Sequence, residues 1–264
     1  VVAFAANLLP LRDQTLIVDI LSAVCTPDTA PDVIENCANV LRYVSVNFNA
    51  FASLSPLVVS LLDLTQSEDV VDSLSTVLYN MTCSTDNIAL MLKDPYYVNM
   101  MIRIMRNGKV EIQENIAEGM RTLCSEAKCV SILLKNDILS DLIVVALLRT
   151  SSEEIKHVCS ETFYNMFCHP DSRKRLLKGD LWWAVMRLCR TDSHKVRTVC
   201  ARTLFDLSCD SANIQALRDH HVLSFVKDVF AMGGNEEFLR KCMCAVHNII
   251  RHFEVEAAQN AAAN

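Results

Sequence analysis

The feature that most restricts what this chain can fold into is an amphipathic helix that returns along its whole length. Its clearest copy is KVEIQENIAEGMRTLC, residues 109–124. With Ile112 as its first apolar position, equivalents stand at Val33, Val70, Ile155, Val196 and Phe238, at intervals of 37, 42, 43, 41 and 42 residues. Four residues on come Cys37, Leu74, Ile116, Cys159, Cys200 and Cys242. Five on come small residues, Ala38, Ser75, Ala117, Ser160 and Ala201, with Met243 the exception. Eight on stand Leu41, Leu78, Met120, Phe163, Leu204 and Val246; eleven on stand Val44, Met81, Leu123, Met166, Leu207 and Ile249. Steps of 0, 4, 8 and 11 share one face at 3.6 residues per turn. A period near 42 that carries a buried helix marks a stacked helical repeat, because no single unit can bury its apolar face alone.

Composition agrees with that reading. Of 264 residues, 51% are hydrophobic and 21% charged, enough for a continuous core and too apolar for a disordered chain. Only five Gly and six Pro occur, and runs alternating with period two are missing, so almost no strand is expected. The net charge of −6 disfavours nucleic acid, whose phosphates call for a basic face. No long uncharged apolar stretch exists, so no membrane span is expected. The N-terminus lacks a basic n-region, and Pro10, Arg12 and Asp13 interrupt its apolar run, which argues against a signal peptide. It opens inside a helix pattern, as expected of a piece of a longer protein. Twelve Cys are present. Cys37, Cys124, Cys159, Cys200, Cys242 and Cys244 take helix positions that other copies fill with ordinary residues. They read as small buried hydrophobes in a reducing, cytoplasmic setting.

Residues 1–9 fit the last half of the repeated helix, with Val2, Ala5 and Leu8 in register and Pro10 as the stop. Leu16 to Val24 reads as a second helix, closed by Thr26-Pro27-Asp28, and Pro31-Asp32 opens the next repeated helix, to about Val46. Later units follow a three-part plan. The repeated helix ends in a polar turn: Ser84-Thr85-Asp86, Ser125-Glu126, His169-Pro170-Asp171 or Asp210-Ser211. A short helix follows (Asn87 to Leu92, Cys129 to Leu134, Ser172 to Leu177, Asn213 to Leu217). A longer one comes next (Val98 to Met105, Leu139 to Leu148, Leu181 to Leu188, Val222 to Phe230). Asp and Ser before helices supply N-caps, and Gly past a helix end supplies a left-handed stop. The first two intervals lack a full short helix. The array is expected over 1–252, about six units with the first and last incomplete. The segment 253–264, with no core pattern, reads as a frayed tail or linker.

Near the end of the repeated helix an Asn precedes an apolar residue: Asn7-Leu8, Asn80-Met81, Asn165-Met166, Asn248-Ile249, with Asp206-Leu207 a close variant. With the small residue midway and three helices per unit of about 42 residues, this pattern resembles the armadillo repeat. Glu111-Ile112-Gln113-Glu114 leading to Ala117 is the best single match. Tyr43 and Thr122 depart from it by replacing the Asn. The Gly usual between the first two helices gives way to Asp94-Pro95, Asn136-Asp137, Gly179-Asp180 and Asp219-His220. The kinking Pro of a HEAT repeat is not seen. The resemblance implies an all-α, right-handed α-solenoid superhelix whose third helices line a concave groove.

In that family the groove Asn side chains hold the backbone of an extended peptide, which suits an amide with two donors and an acceptor. The places carried over are Asn7, Tyr43, Asn80, Thr122, Asn165, Asp206 and Asn248. Four residues before each, on the same face, lie Asn39, Thr76, Glu118, Glu161, Arg202 and Cys244. Seven before lie Asn36, Ser73, Asn115, Val158, Val199 and Lys241. The bland reading is that these are solvated polar positions, the Asn capping neighbouring turns. None is Trp, which excludes an importin-like grip on Lys stems; of Trp182 and Trp183, at least one is expected in the core. Glu118 and Glu161 lie centrally and Arg202, Arg240 and Lys241 towards the C-terminal end. A segment basic in the middle and acidic at one end is the complement.

No other chemistry converges. Cys242, Cys244 and His247 offer metal-ligand types, but Cys242 and Cys244 lie ~200° apart on a helix, and no CxxC pair exists. Cys168-His169 and His220-His221 read as solvated loop residues. The acceptor sequence Asn80-Met81-Thr82 lies inside a helix and is discounted. Without a Gly-rich phosphate loop or a GxSxG, neither an enzyme nor a cofactor is expected. The function expected is a non-enzymatic interaction scaffold binding other proteins, for which the resemblance allows a cytoskeletal or ciliary assembly. The alternatives are a cargo adaptor that reads a linear motif and a regulatory domain of a larger enzyme.

Overall fold

The computed structural model of the chain describes residues 11–46, 51–65, 67–91, 97, 100, 101, 104, 109–134, 138–147 and 152–263. The described residues hold helices and no strand. The N-terminal half-helix, including Asn7, and most of the expected helix from Val98 to Met105 lie outside them.

The chain divides into two compact units, 1–141 and 142–264. In the first, α1 (Leu11–Val24) and α3 (Phe51–Leu64) pack together, and α2 (Pro31–Ser45), α4 (Glu68–Thr82) and α6 (Val110–Leu123) form a row with α4 in the middle. α5 (Thr85–Met91) packs on α3 and α4, and α7 (Ala127–Leu133) follows α6. α8 (Ile138–Leu147) carries the boundary between the units. In the second unit α9 (Glu153–Cys168), α12 (His194–Ser208) and α15 (Glu236–Ala263) form the row, again with the middle helix touching both others. α10 (Pro170–Lys178), α11 (Asp180–Leu188), α13 (Ser211–Asp219) and α14 (Val222–Ala231) cover its apolar side.

The repeated face is the core. Every residue at the four-on and eleven-on places is buried, as is every eight-on residue except half-buried Val246. The first place is buried in five copies; Val33 is 36% exposed, and Ile34 takes the core position instead, a shift of one residue in α2. Ala38, Ser75, Ser160 and Ala201 are buried at 1% exposure or less, where the next third helix of the row comes close. All twelve cysteines are free thiols and eight of them are buried, in keeping with their role as small apolar fillers.

Caps follow the sequence in three places: Ser152 accepts from Ile155 N (3.1 Å), Ser193 from Val196 N (3.3 Å) and Asp210 from Ala212 N (3.0 Å). Gly233, at φ +70°, makes the left-handed stop after α14. Four expectations are corrected. Thr85 and Asp86 belong to α5, not to a turn, with Ser84 O accepting the first helical bond from Ile88 N. α3 runs as a helix through Pro56, which the sequence reading left unassigned; the proline is exposed, so its ring meets no core. The segment after Phe253 is not frayed: α15 continues to Ala263, held by alanine's high helix propensity, with residues 254–261 exposed. His220 is half-buried rather than solvated. Its Nε2 lies 2.5 Å from Leu177 O, and its ring is 6.0 Å from Trp182 and 6.5 Å from Trp183. Trp182 is the core tryptophan at 1% exposure, while Trp183 is 53% exposed.

Candidate functional site

Within each unit the third helices present polar side chains along one edge of their buried stripe. In the first unit Asn39, Thr76, Asn80, Glu118 and Thr122 are half-buried and Tyr43 is 48% exposed. In the second, Glu161, Asn165 and Asn248 are half-buried, and Arg202 and Asp206 are exposed. Eleven of the twelve expected groove residues thus lie on third helices at the edge of the core. Asn7 is outside the described residues.

These side chains first of all join neighbouring helices of a row. Asn80 Nδ2 donates to Ser45 Oγ at 2.9 Å, across α4 and α2. Asn248 Nδ2 does the same to Ser208 Oγ at 3.1 Å, across α15 and α12. Ser73 Oγ donates to Asn39 Oδ1 (2.9 Å), and Asn115 Nδ2 reaches Ser75 Oγ (3.2 Å) and Thr76 Oγ1 (3.3 Å). Asn80 therefore commits one donor to the stacking, while Asn248 Nδ2 also reaches Cys209 Sγ at 3.5 Å. The second N–H of Asn80 and the carbonyl oxygens complete the amide inventory that a peptide could use. Neither the groove reading nor the capping reading foresaw this cross-linking.

The charges differ from the simple pattern of central acids and terminal bases. Glu118 is clamped by Arg121 one turn away, Nε to Oε2 at 2.5 Å and Nη2 to Oε1 at 3.2 Å. His157 Nε2 lies 3.9 Å from Glu161. Glu118 is thus matched within its own helix. In the second unit Arg202 lies over the Tyr164 ring (4.3 Å) with its Nε 4.0 Å from Asp206, and Tyr164 donates to Asp206 at 2.9 Å. Lys241 lies over Phe205 at 4.5 Å. Burial, with Cys168 and Asp206 beside it, pushes the Tyr164 hydroxyl up from 10.0, so it stays a donor. A cleft of about 170 Å³ opens beside this group, between Tyr164, Cys168, Arg173 and Asp206. A wider one, about 320 Å³, lies between the end of α12 and the middle of α15, lined by Ser208, Cys209, Asn248, Arg251 and His252.

The ring residues Tyr164 and Phe205 escaped the sequence reading. The signal was present: the residue just before the Asn place is Tyr79, Arg121, Tyr164, Phe205 and His247 in successive copies. The Ser45 and Ser208 acceptors carry a weaker signal, one residue past the last core position. Among the described residues no three His, Cys, Asp or Glu side chains converge as a metal site, and no helix is long and apolar enough to cross a membrane.

No protein-family model matches the sequence, and no curated protein matches it. Solved structures do. A computationally designed armadillo repeat protein for modular peptide recognition superposes with a TM-score of 0.70 at 15% identity, over 89% of this chain and 98% of that one. A designed armadillo repeat protein in complex with the peptide (KR)4 gives 0.69 at 15% identity, over 89% and 98%. An engineered protein gives 0.67 at 15% identity, over 91% and 97%. At that identity the likeness is one of fold.

Proposed function

The chain is an all-α solenoid of armadillo-like repeats, and from that premise we propose that it is a non-enzymatic scaffold that holds partner proteins along its third-helix surface. The observation that carries this reading is the placement of Asn39, Tyr43, Thr76, Asn80, Glu118, Thr122, Glu161, Asn165, Arg202, Asp206 and Asn248. They border the core on successive third helices, forming a polar edge beside each buried stripe. Armadillo arrays work by such an extended surface rather than an enclosed pocket. One of the designed neighbours holds a basic peptide. Here Glu118 is matched by Arg121, and the second unit presents Arg202, Lys241 and Arg240, so an acidic or mixed segment suits that unit better. The finer proposal puts the array, about six units over 1–252, in a cytoplasmic assembly of the cytoskeletal or ciliary kind; it rests on the resemblance alone.

Anisotropy titrations with a labelled alternating Lys-Arg octapeptide and a labelled alternating Asp-Glu octapeptide test the surface. The acidic probe is expected to bind more tightly, with affinity falling as salt rises. Arg202→Glu with Lys241→Glu should weaken it about tenfold. Arg187→Glu, an exposed residue of α11, should leave it unchanged. Equal losses from both changes, or no binding of either probe at low salt, would reject the third-helix surface.

A further inference from the structure

We infer that α15 is a self-association element, through which two copies of the chain pair antiparallel along one exposed edge of that helix. α15 meets α12 with one side, where Asn248 and Lys241 reach Ser208 and Phe205. Away from α12 lie Met243, Ile250 and Ala257, exposed, with half-buried Leu239, Val246 and Phe253 between them and the core face, Phe253 under the Arg218 guanidinium at 5.1 Å; the six are spaced 4, 3, 4, 3 and 4 residues apart. That is the a/d spacing of a coiled-coil seam, sustained over two and a half heptads. Met243 is 56% exposed and Ile250 44% exposed, beside a core face on which Phe238, Cys242, Ala245 and Ile249 are buried.

The edge is built differently from the stacking edges inside each row. There the small residues Ala38, Ser75, Ser160 and Ala201 let the next helix approach, and Ser45 and Ser208 accept from its Asn. On α15 the corresponding places hold Met243 and Ile250. A further repeat approaching as α15 approaches α12 would meet a thioether chain in place of a methyl or hydroxyl. Its Asn would find no acceptor. The seam suits a knobs-into-holes partner instead. The helical extension beyond Phe253, exposed all round through Ala261, continues the seam past the body of the unit.

Charge selects the partner and its direction. Arg240 and Glu254 are both exposed and hold the same heptad position, basic in the first half of the helix and acidic in the second. Antiparallel pairing of two α15 helices brings Arg240 of one copy to Glu254 of the other, twice. It layers Met243 on Phe253, Ile250 on Val246 and Ala257 on Leu239. A parallel pair would bring neither Arg240 nor Glu254 to an opposite charge.

Sedimentation velocity on the 264-residue chain, from about 1 to about 100 µM, should show a monomer–dimer equilibrium in that range. Met243→Glu with Ile250→Glu should leave a monomer of unchanged helicity, since both sites are exposed. Arg240→Glu and Glu254→Arg should each weaken the dimer about tenfold, and the double reversal should recover most of the loss. A wild-type chain that stays monomeric throughout, leaving the edge to another protein or a further repeat, overturns the inference. So does a dimer that survives Met243→Glu with Ile250→Glu, and so does a double reversal that recovers nothing.

Discussion

Two glycines show how much a single Cβ decides at the residue scale. At Gly234 an added Cβ would sit 2.4 Å from Cδ1 of Phe238, a ring that is 1% exposed and lies under the Arg197 guanidinium at 4.3 Å. The ring has nowhere to go, so Gly234→Ala should cost about 1–3 kcal/mol in urea denaturation. At Gly119 the added Cβ would meet Cε of Met101 at 2.8 Å, the end of a flexible chain, and alanine gains about 1 kcal/mol of helix propensity there. Gly119→Ala should stay within about 1 kcal/mol of wild type. The asparagines obey a different rule. Asn80→Ala removes its bond to Ser45 and Asn248→Ala its bonds to Ser208 and Cys209; each should cost about 0.5–1.5 kcal/mol. A double-mutant cycle of Asn80→Ala with Ser45→Ala should show coupling of at least about 0.5 kcal/mol. Coupling indistinguishable from zero would mean that the asparagine is simply a solvated polar residue.

At the scale of helices, the small residue five places after the first core position sets how closely third helices approach. Ala201 is fully buried between α12 and its neighbour. Ala201→Leu should destabilise by about 1–3 kcal/mol, while Ala212→Leu, exposed on α13, should change stability by less than about 0.5 kcal/mol. Comparable effects at both sites in thermal melts would remove the close-approach argument. This scale is also where the sequence was most legible. Apolar periodicity repeated six times averages out local exceptions, so the buried stripe and, in the second unit, the short and long covering helices could be read. Val33 was misread because α2 has apolar residues at both 33 and 34, and periodicity alone does not choose between neighbours. α3 was left unassigned, since it lies outside the repeated helix and its apolar run carries Pro56. The helical end of α15 escaped because alanine extends a helix without marking a core face. The pairing of Asn80 with Ser45 spans 35 residues and depends on the rotation of one helix against the next. No local pattern encodes that angle, so the polar edge could be located but its partners could not.

For the whole molecule, the thiols spread through both units make stability depend on alkaline pH. Burial pushes Cys129, Cys159 and Cys242 up to about 12 from 9.0, burial being the first cause in each. A thiol that holds its proton more tightly when folded contributes stability that is complete below pH 9 and lost between about 9 and 12, as the unfolded chain ionises first. The urea midpoint should therefore be flat near neutrality and fall above pH 9. A triple variant, Cys129→Ala with Cys159→Ala and Cys242→Ala, should start lower, from the lost packing, and fall less steeply. An unchanged slope would assign the alkaline loss to other groups. The bonds between third helices have a different reach. Each joins a helix only to the next in its row, as Asn80 joins Ser45 and Asn248 joins Ser208. A gene segment encoding one whole unit, copied in tandem after α4, would carry its own donor and present its own acceptor, leaving earlier bonds unbroken. Lengthening by duplication is thus cheap for such an array, whereas losing a few residues from within a unit turns that unit's donor away from its acceptor and leaves the pairs beyond it intact.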